Sequence, residues 1–130
     1  MADIKLKSVD KNRIGEYIGE CRSVMEGAKL YHWDVTGTVS YAQHIALDQF
    51  IEQMNAPVDS LAETSIALYG DINITIPKTD KPTNIVDYIN KFRISTKNIR
   101  NILIENVQIA IVDTIDEAAL QVLYRLKRLK

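Results

Sequence analysis

A chain of 130 residues fits one domain and is too short for two independent cores. With 46% hydrophobic and 25% charged residues it has the composition of an ordinary folded protein, which excludes a disordered chain or a collagen-like fibre. A lone cysteine, Cys21, excludes an internal disulfide framework, and a net charge of −1 provides no general attraction to nucleic acid or anionic lipid. The longest apolar stretches, Ile109–Val112 and the alternation of Ile72, Ile74 and Ile76, fall far short of the ~18–20 residues of a membrane span. Met1–Lys7 has no apolar signal region, so the expectation is a cytoplasmic protein with a single domain over residues 1–130 and a short tail over 1–9.

Five glycines and three prolines favour helices over a turn-rich β architecture. Ser8–Asp10 supplies N-cap residues, after which Ile14, Tyr17/Ile18, Cys21, Val24/Met25, Ala28 and Tyr31 recur at helical steps. They predict an amphipathic helix over Lys11–Asp34. Gly15, Gly19 and Gly27 each cost it about 1 kcal/mol relative to alanine, and the expected return is close approach by another helix. Val35-Thr36-Gly37-Thr38 reads as the turn to a second helix, with Gly37 in a left-handed conformation.

The second helix is predicted to run about thirty residues to Gly70, with a buried stripe of Tyr41, Ile45, Leu47/Asp48, Ile51, Met54, Val58, Leu61/Ala62, Ile66 and Tyr69. Pro57 lies inside it and predicts a kink near Gln53–Asn55. Asp71–Pro82 reads as an extended segment laid along the bundle, linking two parallel neighbouring helices. A third helix opens at Thr83, and a fourth carries Ile111/Val112, Ile115, Ala119, Val122, Leu126 and Leu129. The turn between them falls either at Glu105-Asn106 or at the capping box Thr114–Glu117. The predicted fold class is all-α, a ferritin-like four-helix bundle with a long crossover between helices 2 and 3.

His32 and His44 are the chain's two histidines. His44/Asp48 and Asp59/Glu63 are i,i+4 pairs on the second helix, and His32 ends the first, one turn away. Imidazole with two or three carboxylates suits iron, manganese or zinc. Asp48 and Asp59 are eleven residues apart, and so about 16 Å along the helix axis, whereas metal–oxygen bonds are ~2.0–2.2 Å long. The two pairs therefore cannot hold one ion within a single chain. Two second helices packed antiparallel about a two-fold axis would bring each His44/Asp48 pair to the partner's acidic pair.

The segment Ala28-Lys29-Leu30-Tyr31-His32-Trp33-Asp34-Val35-Thr36-Gly37, followed by Tyr41, His44, Asp48, Asp59 and Glu63, resembles the Dps family of mini-ferritins. The family pattern is His-Trp, then Gly, then His-x-x-x-Asp and Asp-x-x-x-Glu. The steps of 12, 16, 27 and 31 residues from His32 to the other four match it without a gap. The resemblance implies that His32, His44 and Asp48 of one chain join Asp59 and Glu63 of a two-fold partner in a ferroxidase site, inside a twelve-subunit shell. It implies Fe(II) as substrate, peroxide or dioxygen as oxidant, ferric iron stored within, and protection against peroxide. The chain is short for that family after Gly70, and Pro57 stands between the two pairs.

The alternative is a non-catalytic Dps-like structural or DNA-binding oligomer. Lys5, Lys7 and Lys11 supply the only arm-like basic cluster near the start, so DNA is a partner the charge balance does not favour. Arg125–Lys130 reads as a helix end favoured by the macrodipole. Trp33 is either core or beside the site, and Cys21 reads as a small buried hydrophobe.

Overall fold

The computed structural model describes residues 9–37 and 40–129. Among them are four helices and no strand: α1 (Lys11–Asp34), α2 (Ser40–Tyr69), α3 (Ile85–Ile102) and α4 (Asn106–Arg128). Ser8 and the basic residues Lys5 and Lys7 lie outside the described residues. Asp10 caps α1 by accepting from the Arg13 amide at 3.1 Å. Asn84 caps α3 in the same way through the Asp87 amide, one residue later than the expected start at Thr83. Gly37 turns the chain between α1 and α2 at φ +103°.

α2 is one continuous helix that includes Pro57. α3 ends where the buried Leu103 donates back to the Ile99 and Arg100 carbonyls, so of the two possible turns the chain uses the one at Glu105. Thr114 lies inside α4, where its hydroxyl donates to the Ala110 carbonyl instead of capping a helix.

α1 packs against α2 and α3, and α4 against the same two, so α2 and α3 lie diagonally across the bundle. Cross-links fix the directions. Lys29 meets Asp48, Tyr17 meets Thr96, Tyr69 meets Gln108 and Arg93 meets Asp116, and each packed pair of helices runs antiparallel. α2 and α3 are consequently parallel, as their long connection demands, but they are not neighbours. This is the up-down-down-up connectivity of ferritin-like bundles, with one long crossover.

The crossover runs along α1. Ile72 and Ile74 pack against the core, the Thr79 and Ser23 hydroxyls share a 2.7 Å hydrogen bond, and Lys81 reaches Asp34 at 2.9 Å. This corrects the role expected for the α1 glycines. A Cβ at Gly15 or Gly19 would overlap the backbone carbonyl of Asn73 or Thr75, and one at Gly27 would overlap the Tyr88 ring. The first two admit the crossover backbone, and only Gly27 admits a helix side chain.

Leu47, Phe50, Met54, Val58 and Leu61 form the inward face of α2. Tyr41, Ile45 and Ile66, expected in that stripe, are exposed, as is Leu129 at the end of α4. Steps of three and four starting at Leu47 select the inward arc, and Phe50 completes it. Two polar groups are held inside. Gln108 donates to Ser65 at 2.9 Å and accepts from the Tyr69 hydroxyl at 3.0 Å, while Tyr17 and Thr96 share a 2.8 Å hydrogen bond beside the stacked Phe92 ring. Cys21 is fully buried, and burial pushes its thiol pKa up, so it packs as an apolar filler, as expected. No described helix is long and apolar enough to cross a membrane.

Two substitutions test this packing. Gly19→Ala sets a methyl against the Thr75 backbone, which cannot rotate away, and is expected to cost about 1–3 kcal/mol in urea unfolding. Gln108→Leu leaves the buried Ser65 hydroxyl without its partner and is expected to cost about 1–3 kcal/mol. Adding Ser65→Ala should recover part of that loss, and additive losses instead would show that the two side chains are not energetically linked.

Candidate metal site

The antiparallel α1–α2 hairpin brings the last turn of α1 beside the first turns of α2. His32 comes from α1, and His44 and Asp48 come from one face of α2. The two imidazoles stack with ring centroids 3.6 Å apart. His32 Nε2 lies 3.0 Å from Asp48 Oδ1, and His44 Nε2 lies 3.8 Å from Asp48 Oδ2. His32 is only 5% exposed; its Nδ1 has no hydrogen-bond partner among the described residues, while its Nε2 faces the Asp48 carboxylate. Burying a ring nitrogen without a partner is costly, and such an atom in a native interior calls for an explanation.

One donor atom from each of His32, His44 and Asp48 lies within 4.8 Å of the others. A tetrahedral ion with ~2.1 Å bonds separates its donors by roughly 3.4 Å, so a modest contraction would close the set on a cation. The donor chemistry, two imidazoles and a carboxylate, suits a borderline divalent metal such as iron or zinc.

Asp48 has a further partner that the sequence reading passed over. Lys29, three residues before His32 on α1, donates from Nζ to Asp48 Oδ1 at 3.1 Å. Its ammonium, with His32 beside it, holds the Asp48 carboxyl below the usual carboxylate range. The sign follows: the pair's contribution to stability is present above that range and is lost as the pH falls through the lowered value. The available signal was helical spacing, because Lys29 and His32 share a face at i,i+3. Trp33 is not core: it is 67% exposed, and the Lys29 ammonium sits 5.8 Å from its ring centroid.

Asp59 and Glu63 are not part of this cluster. Both are exposed and lie farther along the same unbroken helix, Asp59 about 16 Å from Asp48 along the axis. They share their face with the exposed Tyr41, Ile45 and Ile66. Along α2, the pairs Tyr41/Ile66, His44/Glu63 and Asp48/Asp59 all have the same midpoint, between Gln53 and Met54. An antiparallel second α2 centred there would lay apolar groups on apolar groups and the acidic pair opposite the histidine-bearing one.

Neither a curated protein nor a solved structure matches the chain. The model of a family of unknown function, DUF5856, matches residues 32–126. That stretch opens at His32 and contains all five candidate ligands, and it covers more than half of the chain, which therefore belongs to the DUF5856 family.

Proposed function

We propose that this protein is a Dps-like mini-ferritin, a ferroxidase that binds Fe(II) between two copies of α2 and stores the ferric product in the cytoplasm. The observation that carries this is the convergence of the buried His32 imidazole with His44 on the one Asp48 carboxylate, with a donor atom from each within 4.8 Å of the others.

Iron is the substrate in this scheme. His32 and His44 offer nitrogen donors and Asp48 a carboxylate whose ionised form its neighbours favour. Asp59 and Glu63 of the second copy add negative charge that favours cation entry, and the stacked rings restrict how far the donors can turn. Peroxide then accepts two electrons from two Fe(II) ions and two protons from solvent, giving two waters and two Fe(III). Taking both electrons in one encounter avoids release of hydroxyl radical, and the ferric ions hydrolyse to mineral if the dimers close into a shell.

Anaerobic Fe(II) titration followed by peroxide tests the site. His44→Ala and Asp48→Ala are expected to abolish fast oxidation while leaving the helical signal in circular dichroism unchanged, and wild-type rates in either would remove that residue from the reaction. Light scattering on the same sample is expected to give a particle of about twelve chains that retains iron; a bare dimer would leave oxidation without storage.

The shared site has its own test. One variant lacks His32 and His44, and another lacks Asp59 and Glu63. Neither homodimer has an intact site, but each mixed dimer has one, so co-expression should restore part of the lost rate. Background oxidation from demonstrated mixed dimers of correctly folded chains would rule out a two-chain site.

A further inference from the structure

Lys29 donates to the Asp48 carboxylate at the centre of the cluster. Its ammonium lies 3.1 Å from Asp48 Oδ1, the same oxygen that His32 Nε2 approaches at 3.0 Å. A divalent ion shared by His32 and that oxygen would sit ~2.1 Å from each, and so within a few ångströms of the ammonium. Two positive charges at that separation repel by more than the thermal energy even in water. The ion and the ammonium therefore exclude each other from Oδ1.

The ammonium has somewhere else to go. Lys29 and Trp33 are one turn apart on α1, and Nζ is already 5.8 Å from the indole centroid, within cation–π reach. The indole is held out in solvent by the last turn of α1, where Trp33 contributes little to the core. Lys29 is itself about one-third exposed, so its stem can swing without opening the bundle.

We propose that Lys29 is the resident cation of the cluster: it neutralises Asp48 when no metal is bound, and an entering divalent ion displaces it from Oδ1 onto the face of Trp33. This rests on the metal-binding reading above. It assigns Lys29 a role in setting how strongly the site holds its ion. Exchanging one cation for another keeps the carboxylate neutralised in both states, and it weakens retention, which suits an ion that must move on. Lys29 is thus a specificity-determining residue that favours divalent over monovalent cations, since only the higher charge can displace an ammonium already in hydrogen-bond contact.

The test uses Zn(II), which accepts the same donors and does not itself quench indole emission by a redox or paramagnetic route. Calorimetry is run on the wild type, on Lys29→Met, which keeps the stem and removes the charge, and on Lys29→Gln as a second variant should the first fold poorly. Both variants are expected to bind Zn(II) about tenfold more tightly. Trp33 is the only tryptophan, so intrinsic emission reports directly on its surroundings. Zn(II) should shift that emission in the wild type and leave it unshifted in Lys29→Met. Equal affinities in wild type and variants, or the same emission shift in both, overturn the displacement while leaving metal binding intact. Absence of Zn(II) and Fe(II) binding in all three proteins overturns the underlying metal reading instead.

Discussion

The seating of the crossover on α1 is the constraint on which the remaining architecture depends. Two glycines one helical turn apart bring the Asn73 and Thr75 carbonyls against the helix backbone, and Ile72 and Ile74 then reach the core. With the connection carried along α1, α3 starts beside the end of α1 and runs parallel to α2 across the bundle. That route leaves the outer face of α2 uncovered by the chain itself.

The candidate site differs in character from the core around it. The core around it is close-packed and largely satisfied: Gln108, Tyr17, Thr96 and Ser65 are buried polar groups with partners. His32 stands apart from them: it is buried, its Nδ1 has no partner among the described residues, and its Nε2 faces a carboxylate. The contrast within one bundle gives the histidine its meaning. The interior polar groups elsewhere are hydrogen-bonded to one another, so a buried imidazole gathered with a carboxylate and a second imidazole is the feature that the proposed metal site would explain. Lys29 limits the cost by keeping the nearby carboxylate paired.

Staples between α3 and α4 have a different character. Arg93 and Asp116, and Arg100 and Asp113, each form a two-pronged ion pair on the side of the bundle away from the site. The Arg100 pair is half exposed and contributes mainly register, while the Arg93 pair is better shielded. Together they hold the shortest helix against α4 and leave the α1–α2 hairpin, where the histidines sit, to be fixed by its own packing.

Helical periodicity alone determined the four helices, because apolar steps of three and four persist through each and a capping residue or glycine marks most ends. It likewise determined that His44 and Asp48 share a face, and that Asp59 lies too far along the helix to join them, since both follow from the rise per residue. Where apolar residues outnumber what one face can bury, periodicity fails: Tyr41, Ile45 and Ile66 fitted the stripe, and only contact with α1 and α4 decided that Phe50 faces inward in their place. The turn between α3 and α4 was equally undecided, because two segments carried capping chemistry and the burial of Leu103 selected one. The glycines could announce a close approach but not what approached, which depends on the path of a segment more than fifty residues away in the chain. The burial of His32 and its convergence with Lys29 on a single oxygen of Asp48 were decided by tertiary structure alone, because both depend on contacts between helices, and no spacing within one helix contains them.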